Sequence, residues 1–305
     1  MSATQATGAD AIVRIRGGLG NQLFQYAFGQ LLELKYNRRV VFDLSFYNQR
    51  RRHHETPKLL EYGFPMATTD TVPAEAQRAR KFKRLSYGIQ LGLFGIAYVK
   101  DKEAGYSPIP GFSGATYFDG LWQSPLYFKG YEEEIRNRVR RPLLLCADLR
   151  ASIKVNTIGC HIRRGDYLGH NTLAKLDYRT YIENAITSIK DATGKSVERV
   201  ELFSDDPDWC EQNLADGQLV RVFRGATVLD DFVGLMLCQH KVISNSTFSW
   251  WAAYIDHATD GLVVAPKRWF NDRGSREIDI VVDPSWIVVP DCSSTRSCSP
   301  RPRDL

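Results

Sequence analysis

Thr157-Ile158-Gly159-Cys160-His161-Ile162, six residues without a polar break until its last turn, passes directly into Arg163-Arg164-Gly165-Asp166-Tyr167. A short apolar run rich in β-branched residues and closed by a glycine turn reads as a buried strand. Four further runs resemble it: Val200-Glu201-Leu202-Phe203, Leu219-Val220-Arg221-Val222-Phe223, Lys241-Val242-Ile243 and Leu262-Val263-Val264-Ala265. Between them lie helical patterns over residues 178–192, 207–215, 229–239 and 247–257. Strands that alternate with helices build a parallel sheet covered on both faces. Ligands of such sheets bind beyond the carboxyl ends of the strands. That rule selects the loops after Ile162, Phe203, Phe223 and Ile243.

Working outward, the N-terminal part opens on a second unit of the same kind. Ala11-Ile12-Val13-Arg14-Ile15 is a strand pattern, and Gly17-Gly18-Leu19-Gly20-Asn21-Gln22 is a turn. A helical face follows, with Leu23, Ala27, Leu31 and Leu34, and Arg39-Val40-Val41-Phe42-Asp43 is a second strand. Residues 45–150 carry scattered aromatics, Gly and Pro and no clean period; within them Tyr117-Phe118-Asp119-Gly120 reads as a strand end entering a turn. The expected organisation is a first domain over 1–150 and a second over 151–290. Residues 291–305, rich in Ser, Arg and Pro, read as a disordered tail.

Bulk properties narrow the function classes. The chain has 305 residues, 43% of them hydrophobic, enough for two cores. Net charge is +5, from 40 basic and 35 acidic residues, too small an excess to indicate nucleic acid. Six cysteines form no CxxC pair and no zinc spacing. Cys160, Cys210 and Cys238 fall in apolar runs and read as reduced core thiols of a cytoplasmic protein. The N-terminus has neither the basic nor the apolar region of a signal peptide, and no run of roughly 20 apolar residues spans a bilayer. The basic run Arg78 to Arg84, leading into Leu85–Val99, reads as a solvated helix entering a core segment; peripheral contact of 78–99 with an anionic membrane is the alternative.

Three loops carry chemistry. Arg163 and Arg164 at a strand end suit an anion, because guanidinium forks match phosphate oxygens. Pleat alternation expects one of the two to reach the ligand and the other to pair with Asp166 or another carboxylate. Ser204-Asp205-Asp206-Pro207-Asp208 admits two readings. Asp206 and Asp208 fit the D-x-D pattern that holds a metal on a diphosphate. The preferred reading makes Asp206 an N-cap and Pro207 the first helical residue, with no metal. Asp205 is then expected to face the ligand, accepting from a guanine edge or a ribose. Ser244-Asn245-Ser246-Thr247-Phe248 places hydroxyls at a helix N-terminus, a natural phosphate site. Gly18-x-Gly20 before a helix is a partial dinucleotide fingerprint lacking its third glycine.

Together these blocks resemble the α-1,2-fucosyltransferases, glycosyltransferase family 11. Gly17 to Ala27 is similar to that family's opening segment, and His161-Ile162-Arg163-Arg164-Gly165-Asp166 to its HxRRxD box. Phe203 to Cys210 and Ile243 to Trp251 resemble two further blocks. The resemblance implies an α/β, GT-B-like fold: two Rossmann-like domains facing across a cleft. The C-terminal domain, with its parallel sheet, would hold GDP-fucose, and the N-terminal domain most of a galactoside acceptor. It implies an arginine, Arg163 or Arg164, on the β-phosphate, Asp205 on guanine, Ser246 and Thr247 on phosphate, and Asn21 approaching the diphosphate. His161, Ser204 and Phe248 enter the donor site with their motifs. Arg163, Arg164 and Asp166 are the catalytic candidates, Asp166 either as base or as a partner of Arg164; Asp43, Glu55 and Asp119 are other carboxylates available to act as base. No cofactor beyond the donor is expected. Three alternatives stand beside this reading: another nucleotide-sugar transferase, an NAD(P)-linked oxidoreductase using the first glycine loop, and a non-catalytic polyanion binder.

Overall fold

The structure, a computed structural model, describes residues 10–47, 56–69, 91–92, 95–101, 105–112, 114–147, 157–165, 173–256, 261–271 and 281–291. The chain forms two compact units. One comprises Met1–Asp148 with Tyr254–Asp256 and Asp279–Asp283; the other comprises Leu149–Ala253, His257–Ile278 and Pro284–Leu305.

The first unit holds β1 (Ala11–Arg14), α1 (Leu19–Tyr36), β2 (Val40–Asp43), α2 (Lys58–Glu61), β3 (Thr68–Thr69), β4 (Ala97–Lys100), β5 (Thr116–Asp119) and α3 (Glu132–Cys146). Its five strands run in the order β3-β2-β1-β5-β4, and every pairing is parallel. Helix α1 is buried along nearly its whole length, because its apolar face and its glutamines are both enclosed. It stops at Asn37, which adopts the left-handed conformation (φ 51°) and returns its N–H to the Leu32 carbonyl. Phe28 stacks on Trp122 with ring centroids 4.0 Å apart and meets Phe118 and Tyr127 edge-on, which ties α1 to the end of β5. Of residues 78–99, Leu91 and Ile96 are buried against Ile12, Val41 and Tyr117. That part is core, not a membrane contact; Arg78 to Arg84 lie outside the described residues.

The second unit holds β6 (Thr157–Ile162), α4 (Tyr178–Thr193), β7 (Arg199–Ser204), α5 (Pro207–Asn213), β8 (Val220–Val222), α6 (Val228–Leu237), β9 (His240–Val242), α7 (Thr247–Ile255), β10 (Val263–Pro266) and β11 (Ile287–Val289). Six strands pair in parallel in the order β11-β10-β9-β6-β7-β8. Ile158, Cys160 and Ile162 point from β6 to one face and pack on Tyr181, Ile182, Ala185 and Ile189 of α4. On the opposite face α6 comes so close that a Cβ at Gly159 would stand 2.7 Å from Cys238 Sγ and 2.9 Å from Leu235 Cδ1. Helices on both faces of a parallel sheet are the doubly wound arrangement expected from the alternation, and two α/β units, each built on a parallel sheet, are the make-up of a GT-B-like protein. Cys160, Cys210 and Cys238 are buried free thiols.

The tail expectation begins one residue too early. Asp291 is 1% exposed, takes the Arg268 guanidinium, and its carbonyl accepts from Asp177 N–H. Residues 292–305 lie outside the described residues. Among the described residues no helix is long and apolar enough to cross a membrane.

Candidate functional site

In the second unit the chain runs from β6 outward through β7 to β8, then returns to the other side of β6 for β9, β10 and β11. The connections leaving β6 and β9 therefore diverge, which is where open α/β sheets bind ligands. The loops that open there are 163–165 and 244–246.

Asp205, from the end of β7, organises the first loop. Its Oδ1 accepts Arg164 N–H at 2.9 Å, and its Oδ2 accepts Gly165 N–H at 3.0 Å and pairs with Arg163 Nη1 at 3.2 Å. The carboxylate expected to stand toward a base thus spends both oxygens on its neighbours. Tyr178, at the start of α4, closes the loop from the other side. Its hydroxyl accepts from Arg163 N–H at 2.9 Å and donates to the Arg163 carbonyl at 2.8 Å.

Arg164 turns toward α5. Its Nε donates to Asp206 Oδ2 at 3.1 Å, and its guanidinium lies 3.6 Å above the Trp209 ring, a cation–π stack that fixes the plane of the fork. Asp206 is the N-cap of α5, accepting from Trp209 N–H, with Pro207 next to it. Asp208 points away to Arg224 at 2.8 Å. The capping reading of Asp-Pro-Asp is the one the fold adopts. Ser204 Oγ accepts Asp206 N–H at 3.0 Å and shapes the same turn.

Both arginines line one pocket of about 440 Å³ together with Lys175, Arg179, Trp209 and Asn245. Pleat alternation does not sort the two, and each pairs with a carboxylate, Arg163 with Asp205 and Arg164 with Asp206. β6 ends at Ile162, so the two residues lie beyond the pleat and do not alternate. Four basic side chains (Arg163, Arg164, Lys175 and Arg179) face the pocket against one lining carboxylate, Asp177, which caps α4 by accepting from Thr180 N–H. Lys175, Tyr178 and Arg179 escaped the sequence reading, because nothing about a helix start beside them signals which strand end it covers.

The second loop is held from β6. His161 Nδ1 shares a 2.8 Å hydrogen bond with Ser244 Oγ, and its ring stacks on Phe248 at 5.2 Å. Burial, reinforced by Arg163, lowers the His161 pKa to about 3, so the ring is neutral near neutral pH. Asn245 is structural: its Nδ2 donates to the Ala174 and Trp269 carbonyls. Ser246 Oγ accepts Phe248 N–H at 3.4 Å, and Thr247 begins α7. Phe248 also meets Phe232 edge-on at 5.0 Å.

Asn21, in the first unit, accepts from Gln123 Nε2 at 2.8 Å. Of the four remaining carboxylates, Asp43 is buried at the end of β2 and Asp119 at the end of β5; Asp166 and Glu55 lie outside the described residues. Among the described residues no three His, Cys, Asp or Glu side chains gather as a metal site.

The chain has two α/β units with parallel sheets, and in the second a pocket lined by basic side chains lies beyond the end of β6. The chain belongs to glycosyltransferase family 11: the profile "Glycosyl transferase family 11" matches residues 99–289. The O-antigen biosynthesis glycosyltransferase WbnK of Escherichia coli is 30% identical over 309 residues, covering 90% of this chain and 98% of that protein. An alpha-1,2-colitosyltransferase of Escherichia coli is 30% identical over 288 residues, covering 88% and 95%. The mouse galactoside 2-alpha-L-fucosyltransferase Sec1 is 25% identical over 266 residues, covering 80% of this chain and 63% of its own length.

Proposed function

We propose that this glycosyltransferase moves L-fucose from GDP-fucose to the 2-hydroxyl of a galactose-terminated glycan, with inversion at the anomeric carbon. The observation that carries the reading is the convergence of Arg163, Arg164, Lys175 and Arg179 on one pocket. Fucosyl transfer breaks the bond from the anomeric carbon to a phosphate oxygen, and negative charge grows on the departing diphosphate. Fixed cations stabilise that charge more in the transition state than in the bound donor. Removal of one such contact costs about 3 kcal/mol of barrier, roughly 10²-fold in rate. The acceptor oxygen attacks the opposite face of the sugar as the diphosphate leaves, and its proton passes to a base or to solvent. The names of the family relatives support a 6-deoxy-sugar donor, an α-1,2 linkage and a place in O-antigen or oligosaccharide assembly. The buried free thiols support a reducing, cytoplasmic setting.

Titration calorimetry with GDP-fucose in EDTA tests the reading on wild type, Arg163→Ala and Arg164→Ala, followed by linkage analysis of the product formed on lactose. Saturable wild-type binding that weakens at least about ten-fold in either variant fits the clamp. No binding without Mn²⁺ would sink it and return the D-x-D reading. A second donor is favoured by the relative named a colitosyltransferase; turnover of nucleotide-linked colitose in preference to GDP-fucose would establish it.

A further inference from the structure

The cations that line the pocket of the second unit are not equivalent. Arg163 pairs with Asp205 at 3.2 Å and Arg164 with Asp206 at 3.1 Å, so both guanidiniums reach the pocket with their charge already matched. Arg179 donates from Nη2 to the Asn213 carbonyl. The one lining carboxylate, Asp177, is taken up by Thr180, whose N–H it accepts at 3.4 Å and whose Oγ–H it accepts at 2.9 Å. Lys175 is exposed and lines the same cavity of about 440 Å³. Among the described residues no carboxylate forms an ion pair with it. It is the ammonium whose charge the pocket leaves uncompensated.

The main chain that carries Lys175 is fixed from three separate stretches of the same unit. Leu173 makes an antiparallel bridge to Phe270, and Ala174 N–H donates to the Trp269 carbonyl at 3.2 Å. Asn245, 2% exposed, donates from Nδ2 to the Ala174 carbonyl at 2.9 Å and to the Trp269 carbonyl at 3.0 Å. Arg268 Nη2 donates to the carbonyl of Lys175 itself at 3.3 Å, and Arg268 Nε is held by the buried Asp291 at 2.9 Å. Helix α4 follows at once, behind its Asp177 cap. A lysine stem reaches a ligand oxygen by bond rotation, so what the fold must fix is the point from which the stem starts.

We propose that Lys175 is a catalytic residue, the cation that takes up the charge grown on the departing diphosphate, and that Arg268 is its positioning residue. That role rests on the nucleotide-sugar reading above and separates Lys175 from the arginine pair. As the bond from the anomeric carbon to the phosphate oxygen breaks, its electron pair stays on that oxygen. The acceptor oxygen bonds to the carbon and loses its proton to a base or to solvent. The terminal phosphate thereby gains roughly one negative charge, as a phosphate monoester carries about −1.5 to −2 at neutral pH. Arginines already matched by carboxylates hold the charge that the bound donor brings. An uncompensated ammonium gains most from the charge that appears later, and so acts on the transition state.

Wild type, Lys175→Met, Lys175→Arg and Arg268→Met are titrated with GDP and with GDP-fucose, and the single-turnover rate of transfer to lactose is measured. Lys175→Met is expected to slow that step roughly 10²-fold. It is also expected to weaken GDP at least about ten-fold while GDP-fucose changes by less than about three-fold, because only GDP carries the added charge. Lys175→Arg restores most of both losses. Arg268→Met shifts rate and GDP affinity in the same direction and by less; an unchanged ratio of GDP to GDP-fucose affinity removes Arg268 from the role. Lys175 is exposed, so its variants keep the test alive should Arg268→Met not fold. Equal weakening of GDP and GDP-fucose in Lys175→Met, or an unchanged single-turnover rate, overturns the proposal. Should wild type not use GDP-fucose, the donor reading fails by itself. Lys175 is then read by calorimetry with inorganic pyrophosphate: wild-type binding that Lys175→Met weakens about ten-fold supports the assignment, and no wild-type binding, or equal binding by both, overturns it.

Discussion

Gly165 shows how tightly the loop after β6 is drawn. A Cβ there would stand 2.6 Å from Asp205 Oδ2, the oxygen that also accepts Gly165 N–H. Gly165→Ala must therefore push Asp205 off the loop and release Arg163. The expected outcome is donor binding weakened about ten-fold or more, with thermal stability lowered by no more than about 2 kcal/mol, read by GDP titration and by melting. His161 makes a separate prediction. Its folded pKa of about 3 lies below the ordinary 6.5, so between those values the unfolded chain binds more protons than the native one. Stability is complete above pH 6.5 and is lost as pH falls through that window, by up to about 2 kcal/mol at pH 5 from this one group. Urea unfolding at pH 7.5 and 5.0 checks this: the difference between the two pH values shrinks in His161→Asn. At this scale the sequence marked the residues of both loops but not their hydrogen-bond partners. The Arg pair and Asp205 are consecutive or motif-borne and easily seen, but their hydrogen-bond partners lie about forty residues apart in the chain.

At the scale of elements, caps are what local sequence records best. Thr227 and Asp230 form a complete capping box at the start of α6. Thr227→Ala is expected to lower stability by about 1 kcal/mol and leave donor titration unaffected. Asp206→Ala removes the α5 cap and also the partner of Arg164 Nε. It should cost a similar amount of stability and weaken donor binding as well; equal donor affinity in both variants would separate α5 from the site. Most elements of the second unit were legible because their strands are mainly apolar and their helices keep a period, whereas β11, three residues long, was not read. In the first unit β3 has two residues and β4 four, too few to show a period. Helix α3 was missed despite a readable stripe, Ile135, Val139, Pro142 and Leu143, because Pro142 reads as a breaker and the mean hydropathy is low. It is buried on that stripe alone.

At the scale of the molecule, the C-terminal segment is structural. β11 extends the second sheet on β10, and Asp291 anchors both Arg268 and the start of α4. Truncation after Asp283 exposes the β10 edge and removes the cap support of the helix that bears Tyr178. The expected result is a loss of several kcal/mol, seen as a lower melting temperature and aggregation. An unchanged melting profile would show β11 to be dispensable.

The sequence by itself determined the class of the fold, the places of most second-unit strands and helices, and the residue types of the loop after β6. These depend on hydrophobic period, turn chemistry and capping, all of which act over a few residues. Only the tertiary structure decided which strands are neighbours, and hence that β6 adjoins β9 to open a switch point in the second unit. It alone brought Lys175, Tyr178 and Arg179 to the arginines and turned Asp205 inward. Strand order is set by burial summed over a whole sheet, and no window of sequence contains that sum.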